Sequence, residues 1–256
     1  MNQHTSSELE KRHSSEKEFH NQKYSQSKKG NIYSGGFKSL IYNQMLEKIG
    51  DISHKKVLEF GCGNGWQTKI LAGKGAEVWA FDISGEAIKN TRALLEKSNL
   101  NKNVHLDQMP AEKLIYPSET FDLVIGNAIL HHLDLNVATD EIHRVLKKGG
   151  KAYFLEPLGH NPFINFFRKV TPHLRTTDET PLRFKHLDIF SKKFSHFEHE
   201  EYYCITLLAL FWYFVIKENT FLIKTRDFFF KIDTIMLEKC NFLKKYCWYS
   251  MLIMLK

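Results

Sequence analysis

Apolar and amphipathic segments alternate through the middle of the chain. Ser84 is a suitable N-cap for one amphipathic segment, and Gly149 and Gly150 follow another. The apolar runs predict strands over residues 56–60, 77–83, 103–106, 121–127, 151–155, 196–205 and 248–255. Apolar positions at helical spacing predict helices over residues 37–49, 66–73, 84–98 and 136–147. Because strands and helices alternate, the pattern predicts an α/β fold with a doubly wound parallel sheet.

Two segments depart from this alternation. Residues 1–30 are polar and charged, which predicts disorder over about the first dozen residues. Four residues interrupt this polarity and predict that the later part folds over the ligand as a cap: Phe19, Tyr24, Ile32 and Tyr33. After the fifth strand the periodicity is lost, and we interpret residues 158–190 as an inserted lid or acceptor-binding segment. We therefore expect a polar N-terminal segment followed by a single domain over residues 31–256.

Composition narrows the class of protein without choosing a function. The 256 residues suit one α/β domain with additions, and the formal charge of +7 suits an anionic substrate, a membrane surface or a nucleic acid. The four cysteines form no Cys-x-x-Cys pair and no Cys/His cluster with zinc spacing, which predicts a reducing cytosol and no metal site. The polar N-terminus predicts no signal peptide. A cytoplasmic location is expected.

A largely apolar run over residues 202–216 leaves three interpretations open. It can form a buried strand and helix, lie on a membrane surface, or span a membrane. The run is shorter than the roughly twenty residues that a spanning helix needs. Three phenylalanines at residues 228–230, between Lys224 and Lys231, add weight to the membrane-surface interpretation.

A glycine-rich loop joins the first predicted strand to the helix that follows it. Its acid and its glycines occupy alternate positions, and its residues are Glu59, Gly61, Cys62, Gly63, Asn64 and Gly65. Glycine allows a sharp turn and a close approach of the backbone to a ligand. A strand-loop-helix unit of this kind holds nucleotide-like cofactors. Dinucleotide enzymes use the different spacing Gly-x-Gly-x-x-Gly, so the pattern favours another cofactor.

This loop resembles the first motif of class I S-adenosylmethionine-dependent methyltransferases, in the small-molecule branch similar to methyltransferase type 11. The resemblance covers residues 37–157. It implies a Rossmann-like, seven-stranded, mostly parallel sheet whose antiparallel last strand pairs with the sixth at one edge. It also implies that the loop holds S-adenosylmethionine, with Glu59 placing negative charge near the ammonium and sulfonium groups. A strand-to-helix turn with incidental glycines is the structural alternative.

An acid at the end of the second predicted strand is the next cofactor candidate. Asp82 lies about twenty residues after the first glycine, where it can accept hydrogen bonds from both hydroxyls of a ribose. Ile83 follows it at the same site. A dehydrogenase would carry the same acid, so Asp82 supports adenosine binding without choosing the class of enzyme. Alternatively, Asp82 is a helix-capping residue next to Ser84.

Residues 103–114 resemble the segment after strand three in these methyltransferases, which usually ends Gly-Asp-Ala-Glu-x-Leu. Ala111 and Glu112 match this ending and are assigned to cofactor binding. Pro110 stands where the family usually has an aspartate that contacts the amino group of adenine. A neighbouring backbone group, or Asp107 in a shifted register, is the expected replacement.

Residues 121–133 resemble strand four and its exit loop in the same family. The resemblance places Asn127 and Ala128 beside the cofactor, and His131 and His132 near its methyl group. A hydroxyl acceptor must lose its proton during methylation, so either histidine is a candidate base. The structural alternative is that both histidines pack near the methionine part of the cofactor.

The segment after the fifth strand carries the remaining candidates. His160 is a third candidate base. His173 and Arg175 are candidates for binding the acceptor, because an arginine can clamp a phosphate or a carboxylate. The alternative is a polar lid whose residues bond one another. The segment resembles one in bacterial methyltransferases encoded among surface-polysaccharide and natural-product genes.

Several classes of methyltransferase lack support in the sequence. Residues 127–130 lack the Asn/Asp-Pro-Pro-aromatic tetrad of enzymes that methylate amino groups of nucleic acids. No cysteine has the setting needed to methylate C5 of pyrimidines, and no cluster of acids and amides for magnesium is recognisable. We therefore predict a methyltransferase with S-adenosylmethionine as cofactor and no nucleic acid partner.

The predicted reaction is O-methylation of a small polar acceptor, such as a sugar or an activated intermediate in bacterial surface-glycan biosynthesis. A lipid or lipid-linked acceptor at a membrane surface is the first alternative. A protein that binds S-adenosylmethionine without catalysis is the second.

Overall fold

The computed structural model describes residues 6–26, 37–172, 176, 179–207, 209 and 220–256. Its helices are α1 (Ser6–Ser25), α2 (Phe37–Ile49), α3 (Trp66–Gly73), α4 (Gly85–Lys97), α5 (Leu135–Val145), α6 (Pro162–Val170), α7 (Asp188–Lys193) and α8 (Thr220–Lys239). Its strands are β1 (Lys56–Phe60), β2 (Glu77–Asp82), β3 (Val104–Gln108), β4 (Phe121–Asn127), β5 (Leu146–Pro157), β6 (His196–Tyr202) and β7 (Tyr249–Leu255). Among these residues, short 3-10 helices cover Leu130–His132, Phe184–His186 and Asn241–Tyr246.

The described strands form one sheet in the order β3-β2-β1-β4-β5-β7-β6. The first five strands are parallel, and β7 runs antiparallel between β5 and β6. This arrangement confirms the predicted fold class, including the antiparallel last strand. The strand order reverses between β1 and β4. In open α/β sheets, the crevice for a ligand lies at the carboxyl ends of the strands at this point.

Apolar side chains cover both faces of the sheet. Val57 and Ile125 belong to one buried cluster, whereas Leu58 and Val124 belong to the other. Successive residues of a strand point to opposite faces, so β1 and β4 each contribute to both cores. Burial on both faces explains why these strands are continuous apolar runs in the sequence.

Several boundaries differ from the sequence predictions. Helix α5 ends at Val145 and not at residue 147, because β5 begins at Leu146 and its pairing with β4 is irregular there. Strand β3 extends to Gln108 instead of ending at residue 106. Strand β6 ends at Tyr202 and not at residue 205, because Tyr203 has a left-handed φ of 66° that turns the chain out of the strand.

The segment predicted as a lid contains helices that the apolar periodicity did not indicate. Helix α6 begins after Asn161, whose Oδ1 accepts hydrogen bonds from the backbone N–H groups of Phe163 and Ile164. Pro162 occupies the first helical position. An N-cap asparagine followed by proline is the local signal that could have predicted this helix.

Helix α1 lies against α4. The Ser84 hydroxyl donates a hydrogen bond to Asn21 Oδ1 at 2.7 Å, and the Asn90 amide donates to the Tyr24 carbonyl at 3.1 Å. This position agrees with the predicted cap. The prediction of disorder is wrong for residues 6–12, because they lie in α1. Almost every residue of α1 is polar, so its sequence carries no apolar stripe.

The apolar run over residues 202–216 lies mostly outside the described residues, which include 202–207 and 209. Among the described helices, none combines the length and the apolar content needed to cross a membrane.

Candidate active site

A cavity of about 680 Å³, including its open mouth, lies between α1 and the carboxyl ends of β1, β2 and β4. Helix α1 lines it with Arg12, His13, Glu16, His20 and Tyr24. The strand ends and the loops that follow β1 and β2 contribute Gly61, Phe81, Asp82 and Ile83. The segments after β3 and at the end of β4 contribute Met109, Ala111, Glu112, Asn127, Ala128, Ile129, His132 and Leu133. The cavity therefore occupies the crevice that the sheet topology indicates.

The glycine loop approaches the cavity with a backbone that excludes larger residues. Gly61 and Gly63 have φ values of 72° and 54°, in the left-handed region. A Cβ atom added to Gly63 would lie 2.9 Å from the hydroxyl oxygen of Tyr24 on α1. The backbone of this loop therefore makes its close approach to Tyr24 of α1, the helix that forms the predicted cap. Asn64 is exposed, and the Cys62 side chain is buried behind the loop.

Glu59 is a buried acid directly before the glycine loop. Its side chain is 1% exposed, and burial raises the pKa of its carboxyl to about 8. Its Oε2 atom has no hydrogen-bond partner among the described residues. A buried carboxyl oxygen without a hydrogen-bond partner is costly, so this position favours a cationic ligand group.

Asp82, at the end of β2, holds the glycine loop through hydrogen bonds. Its Oδ2 accepts a hydrogen bond from Gly63 N, and its Oδ1 accepts one from Ser84 N, both at 2.9 Å. Burial raises the pKa of this carboxyl above its usual value. Ser84 itself caps α4 by accepting from Ala87 N, so helix capping does not account for Asp82. The aspartate lines the cavity, and each oxygen retains a lone pair for a hydroxyl donor.

The segment after β3 places the Glu112 side chain next to α1. Glu112 Oε2 lies 3.1 Å from His13 Nε2, and its Oε1 accepts a hydrogen bond from Asp134 N at 3.2 Å. Asp107 accepts a hydrogen bond from the Tyr116 hydroxyl at 2.9 Å instead of lining the cavity. The shifted register that would bring Asp107 to adenine is therefore not observed, which leaves backbone groups near Met109 for that contact.

His132 lies where the cap meets the loop after β4. Its Nδ1 is 3.4 Å from Glu16 Oε1, and the Arg12 guanidinium donates to its backbone carbonyl. Burial lowers the pKa of His132, and neighbouring His131 lowers it further. Burial opposes ionisation of Glu16, but hydrogen bonds from His132, His20 and Thr176 hold the pKa of its carboxyl well below the usual range. A neutral imidazole therefore faces an ionised carboxylate.

His131 points away from the cavity into a buried network around Glu156. Its Nδ1 is 2.7 Å from Glu156 Oε2. Glu156 Oε1 accepts hydrogen bonds from the backbone N–H groups of Ile129 and Leu130, both at 2.8 Å. This fully buried carboxylate fixes the loop that carries both histidines.

The structure does not bring His160 to the cavity. Its Nε2 accepts a hydrogen bond from Phe184 N at 3.0 Å, and its ring packs on Phe184 with centroids 4.9 Å apart. The basic nitrogen is therefore occupied, and this placement does not support His160 as the base. His173 and Arg175 lie outside the described residues.

Two groups of described side chains have the types and spacing of metal ligands, although the sequence predicted no metal site. The first comprises Glu16, His20 and His132, and the second comprises His131, His132 and Glu179. Glu16 lies at hydrogen-bond or ion-pair distance from His20, His132 and Thr176. Because these contacts satisfy the carboxylate, we interpret the first group as a hydrogen-bonded network.

Comparison with known proteins finds a methyltransferase domain in the central part of the chain. Residues 58–154 match the family model described as a methyltransferase domain. This match agrees with the resemblance to class I S-adenosylmethionine-dependent methyltransferases that the sequence motifs predict. The ubiquinone biosynthesis O-methyltransferase of Azoarcus sp. (strain BH72) is 32% identical over 110 residues, which cover 43% of this chain and 47% of that protein.

A second relative and one solved structure are also similar to this chain. The ubiquinone/menaquinone biosynthesis C-methyltransferase of Hydrogenovibrio crunogenus is 33% identical over 129 residues, which cover 49% of this chain and 51% of that protein. The chain thus spans about half the length of these two relatives. The solved phosphoethanolamine N-methyltransferase 2 of Haemonchus contortus, in complex with S-adenosylmethionine, shares the fold. Its TM-score is 0.62 at 18% identity, covering 93% of this chain and 56% of that one.

The residues of this site fit S-adenosylmethionine. The ammonium group of the cofactor would supply the cation that the buried Glu59 carboxyl lacks. Asn127 Oδ1 is also buried without a hydrogen-bond partner, beside the cavity. Asp82 would hold the ribose hydroxyls, and the backbone of Gly61 and Gly63 leaves room for the methionine end.

The sequence predicts a cap that includes Tyr24, but it does not single out the titratable side chains that α1 contributes to the site. His13, Glu16, His20 and Tyr24 are separated by three, four and four residues, which places them on one helical face. This spacing of titratable and aromatic residues was the available signal. It is easily overlooked, because the helix carries no apolar stripe.

Proposed function

We propose that this methyltransferase transfers the methyl group to a hydroxyl oxygen, with His132 as the general base. The observation that carries the proposal is the position of His132. Its imidazole lines the same cavity as Asp82 and Asn127, and Glu16 lies beside its Nδ1.

The chemistry follows from what these residues can do. When bound, S-adenosylmethionine supplies an electrophilic methyl group on its sulfonium, and S-adenosylhomocysteine is the product. A hydroxyl oxygen is a better nucleophile as it loses its proton, which His132 accepts. With Nδ1–H donating to Glu16, the Nε2 lone pair of His132 is left to act as the base. Helix α1 covers the reacting atoms and limits the access of water.

The acceptor that we infer is an aromatic hydroxyl compound of the quinone-precursor type. The names of the Azoarcus and Hydrogenovibrio relatives, which concern quinone biosynthesis, support this class of acceptor. Phe81, Met109 and Leu133 give the cavity apolar walls on which an aromatic ring can pack. The saccharide acceptor expected from the sequence has no support among these relatives.

An acceptor panel tests the proposal. The purified chain is incubated with S-adenosylmethionine and either an alkylated catechol or a nucleotide sugar, and S-adenosylhomocysteine is quantified. We expect turnover with the catechol and methylation at oxygen by mass spectrometry. Turnover with the sugar alone, or methylation at carbon or nitrogen, would overturn the proposal.

A binding experiment tests the cofactor site separately. Asp82→Ala should abolish S-adenosylmethionine binding in calorimetry, because its carboxylate holds both the ribose and the glycine loop. Unchanged affinity in this variant would contradict the assigned site, whatever the acceptor.

A further inference from the structure

Exposed apolar side chains are concentrated in one part of the described chain. Nine large apolar side chains are strongly exposed, and eight of them lie on α6, on α8 or on the 3-10 helix that follows α8. The exception is Ile115, which is 70% exposed. Scattered exposed apolar residues need no explanation, but a concentration of this kind marks an interaction surface.

Helix α8 presents a face on which basic and apolar residues alternate. Lys224, Phe228, Lys231, Ile235 and Lys239 are spaced by four, three, four and four residues, so they share one face. Phe228 is 60% exposed and Ile235 is 57% exposed. The three lysines are exposed as well.

The opposite face of α8 holds the helix on the protein. Phe230 and Leu237 are buried in the two apolar clusters. Buried Asp233 accepts hydrogen bonds from the backbone N–H groups of Cys204, Ile205 and Thr206. Of the three phenylalanines noted in the sequence, Phe228 is therefore the exposed one, and the exposed face is not needed for packing.

Helix α6 adds a second apolar stripe in the same region. Phe163, Phe166 and Val170 share one face and are 74%, 67% and 56% exposed. The Asn161 side chain at the start of α6 donates a hydrogen bond to the carbonyl of Tyr246, at the end of the 3-10 helix that follows α8. The two stripes therefore belong to connected elements, and we call them together the basic apolar face.

The positive charge of α6, α8 and the 3-10 helix after α8 indicates what kind of partner binds to the basic apolar face. Residues 162–170 and 220–246 contain eight lysines and arginines against three acids, and one of those acids is the buried Asp233. Most of the net charge of +7 is thus placed here. Protein interfaces are depleted in lysine at their core, whereas anionic membrane surfaces attract lysine and accept aromatic side chains between their headgroups.

We propose that the basic apolar face docks the protein on an anionic lipid bilayer, with α8 lying in the plane of the interface. Phe228, Ile235 and the α6 stripe enter the headgroup region, while Lys224 and Lys231 meet lipid phosphates. This inference goes beyond the proposed function, because it concerns where the protein acts and not which atom it methylates.

Vesicle co-sedimentation of the full chain without cofactor or acceptor tests the proposal. We expect binding to phosphatidylglycerol vesicles and little binding to phosphatidylcholine vesicles. Lys224→Gln/Lys231→Gln should weaken the partition coefficient roughly 30-fold, since each lysine near an anionic surface adds about fivefold. Phe228→Ser/Ile235→Ser should weaken it by about tenfold or more. Ile115→Ser and Lys97→Gln/Lys102→Gln are matched controls on exposed residues outside the face and should bind as the wild type.

Three outcomes would overturn the proposal. The wild type could stay in the supernatant with both vesicle types, or the face variants could bind as well as the controls. Alternatively, Phe228→Ser/Ile235→Ser could convert a dimer to a monomer in light scattering without changing vesicle binding, which would make a second copy the occupant. Circular dichroism shows that each variant is folded, and methyl transfer is measured separately.

Discussion

His132 Nδ1 lies 3.4 Å from Oε1 of Glu16, a residue 116 positions earlier in the chain. The N-terminal helix thereby supplies a carboxylate to the histidine that follows β4. A carboxylate beside the Nδ1 of a neutral imidazole selects the tautomer with the proton on Nδ1, which leaves Nε2 as the base. Helix α1 therefore sets the tautomer of the base that we propose.

Removing the charge of Glu16 should weaken the base without removing the cofactor site. In Glu16→Gln the pKa of His132 falls further, because Glu16 raises it in the wild type. We expect kcat to fall roughly 10- to 100-fold and the acid limb of the pH–kcat profile to move to lower pH. Glu10→Gln, on an exposed part of α1, is the control. An unmoved acid limb in Glu16→Gln would show that Glu16 does not act through His132.

Replacing His132 should affect turnover and leave cofactor affinity nearly unchanged. We expect His132→Gln to lower kcat by about 10²- to 10⁴-fold, as is usual for loss of a general base. In the wild type the base is active when neutral, so activity should decline only below the ordinary histidine pKa of 6.5. Calorimetry with S-adenosylmethionine separates binding from turnover. Full activity of His132→Gln would contradict the proposed role of His132 as the base.

The buried Glu59 should lower the thermal stability of the free protein and raise its affinity for the cofactor. Its pKa is raised to about 8 by burial, so the folded state resists its ionisation. Between the ordinary value of 4.5 and about 8, the unfolded chain ionises first, and the stability of the free protein is lost as pH rises through this window. Glu59→Gln should therefore raise Tm at pH 9, by roughly 3 °C or more, and much less at pH 4.

The same variant should bind S-adenosylmethionine more weakly, because it cannot pair with the ammonium group. Thermal unfolding at both pH values and calorimetry at pH 8 check the two effects. Glu77→Gln, at an exposed position on the neighbouring strand, is the control. A Tm gain that is equal at pH 4 and pH 9 would contradict the role of Glu59 ionisation.

The sequence predicted those parts of the fold and site that depend on neighbours along the chain. The strand, the glycines and Glu59 are consecutive, and Ser84 caps the helix that begins at the next residue. Cap residues such as Glu16 and His13 were missed because their partners, His132 and Glu112, are distant in sequence. Helix α1 is held in place by paired polar groups, so its sequence has no apolar stripe from which its position could be predicted.

Two differences between the sequence predictions and the structure have similar physical causes. The end of α5 was placed too late because Leu146 and the following lysines fit a helical pattern, and only pairing with β4 shows that β5 has begun. His160 was proposed as a base because it follows β5 at the ligand-binding edge of the sheet. Its Nε2 is instead used by the backbone of Phe184, a contact that depends on how the segment folds back.

Glu156 should be more important for the stability of the fold than for the chemistry itself. Its carboxylate accepts from two backbone N–H groups and lies 2.7 Å from His131 Nδ1, in a fully buried setting. Glu156→Ala leaves these groups unpaired, at about 1–3 kcal/mol for each buried group, so we expect a loss of roughly 3 kcal/mol or more in the free energy of unfolding. Urea denaturation measures this loss, with the exposed Glu198→Ala as the control. A change below about 1 kcal/mol would mean that the loop between Ala128 and His132 is held by other contacts.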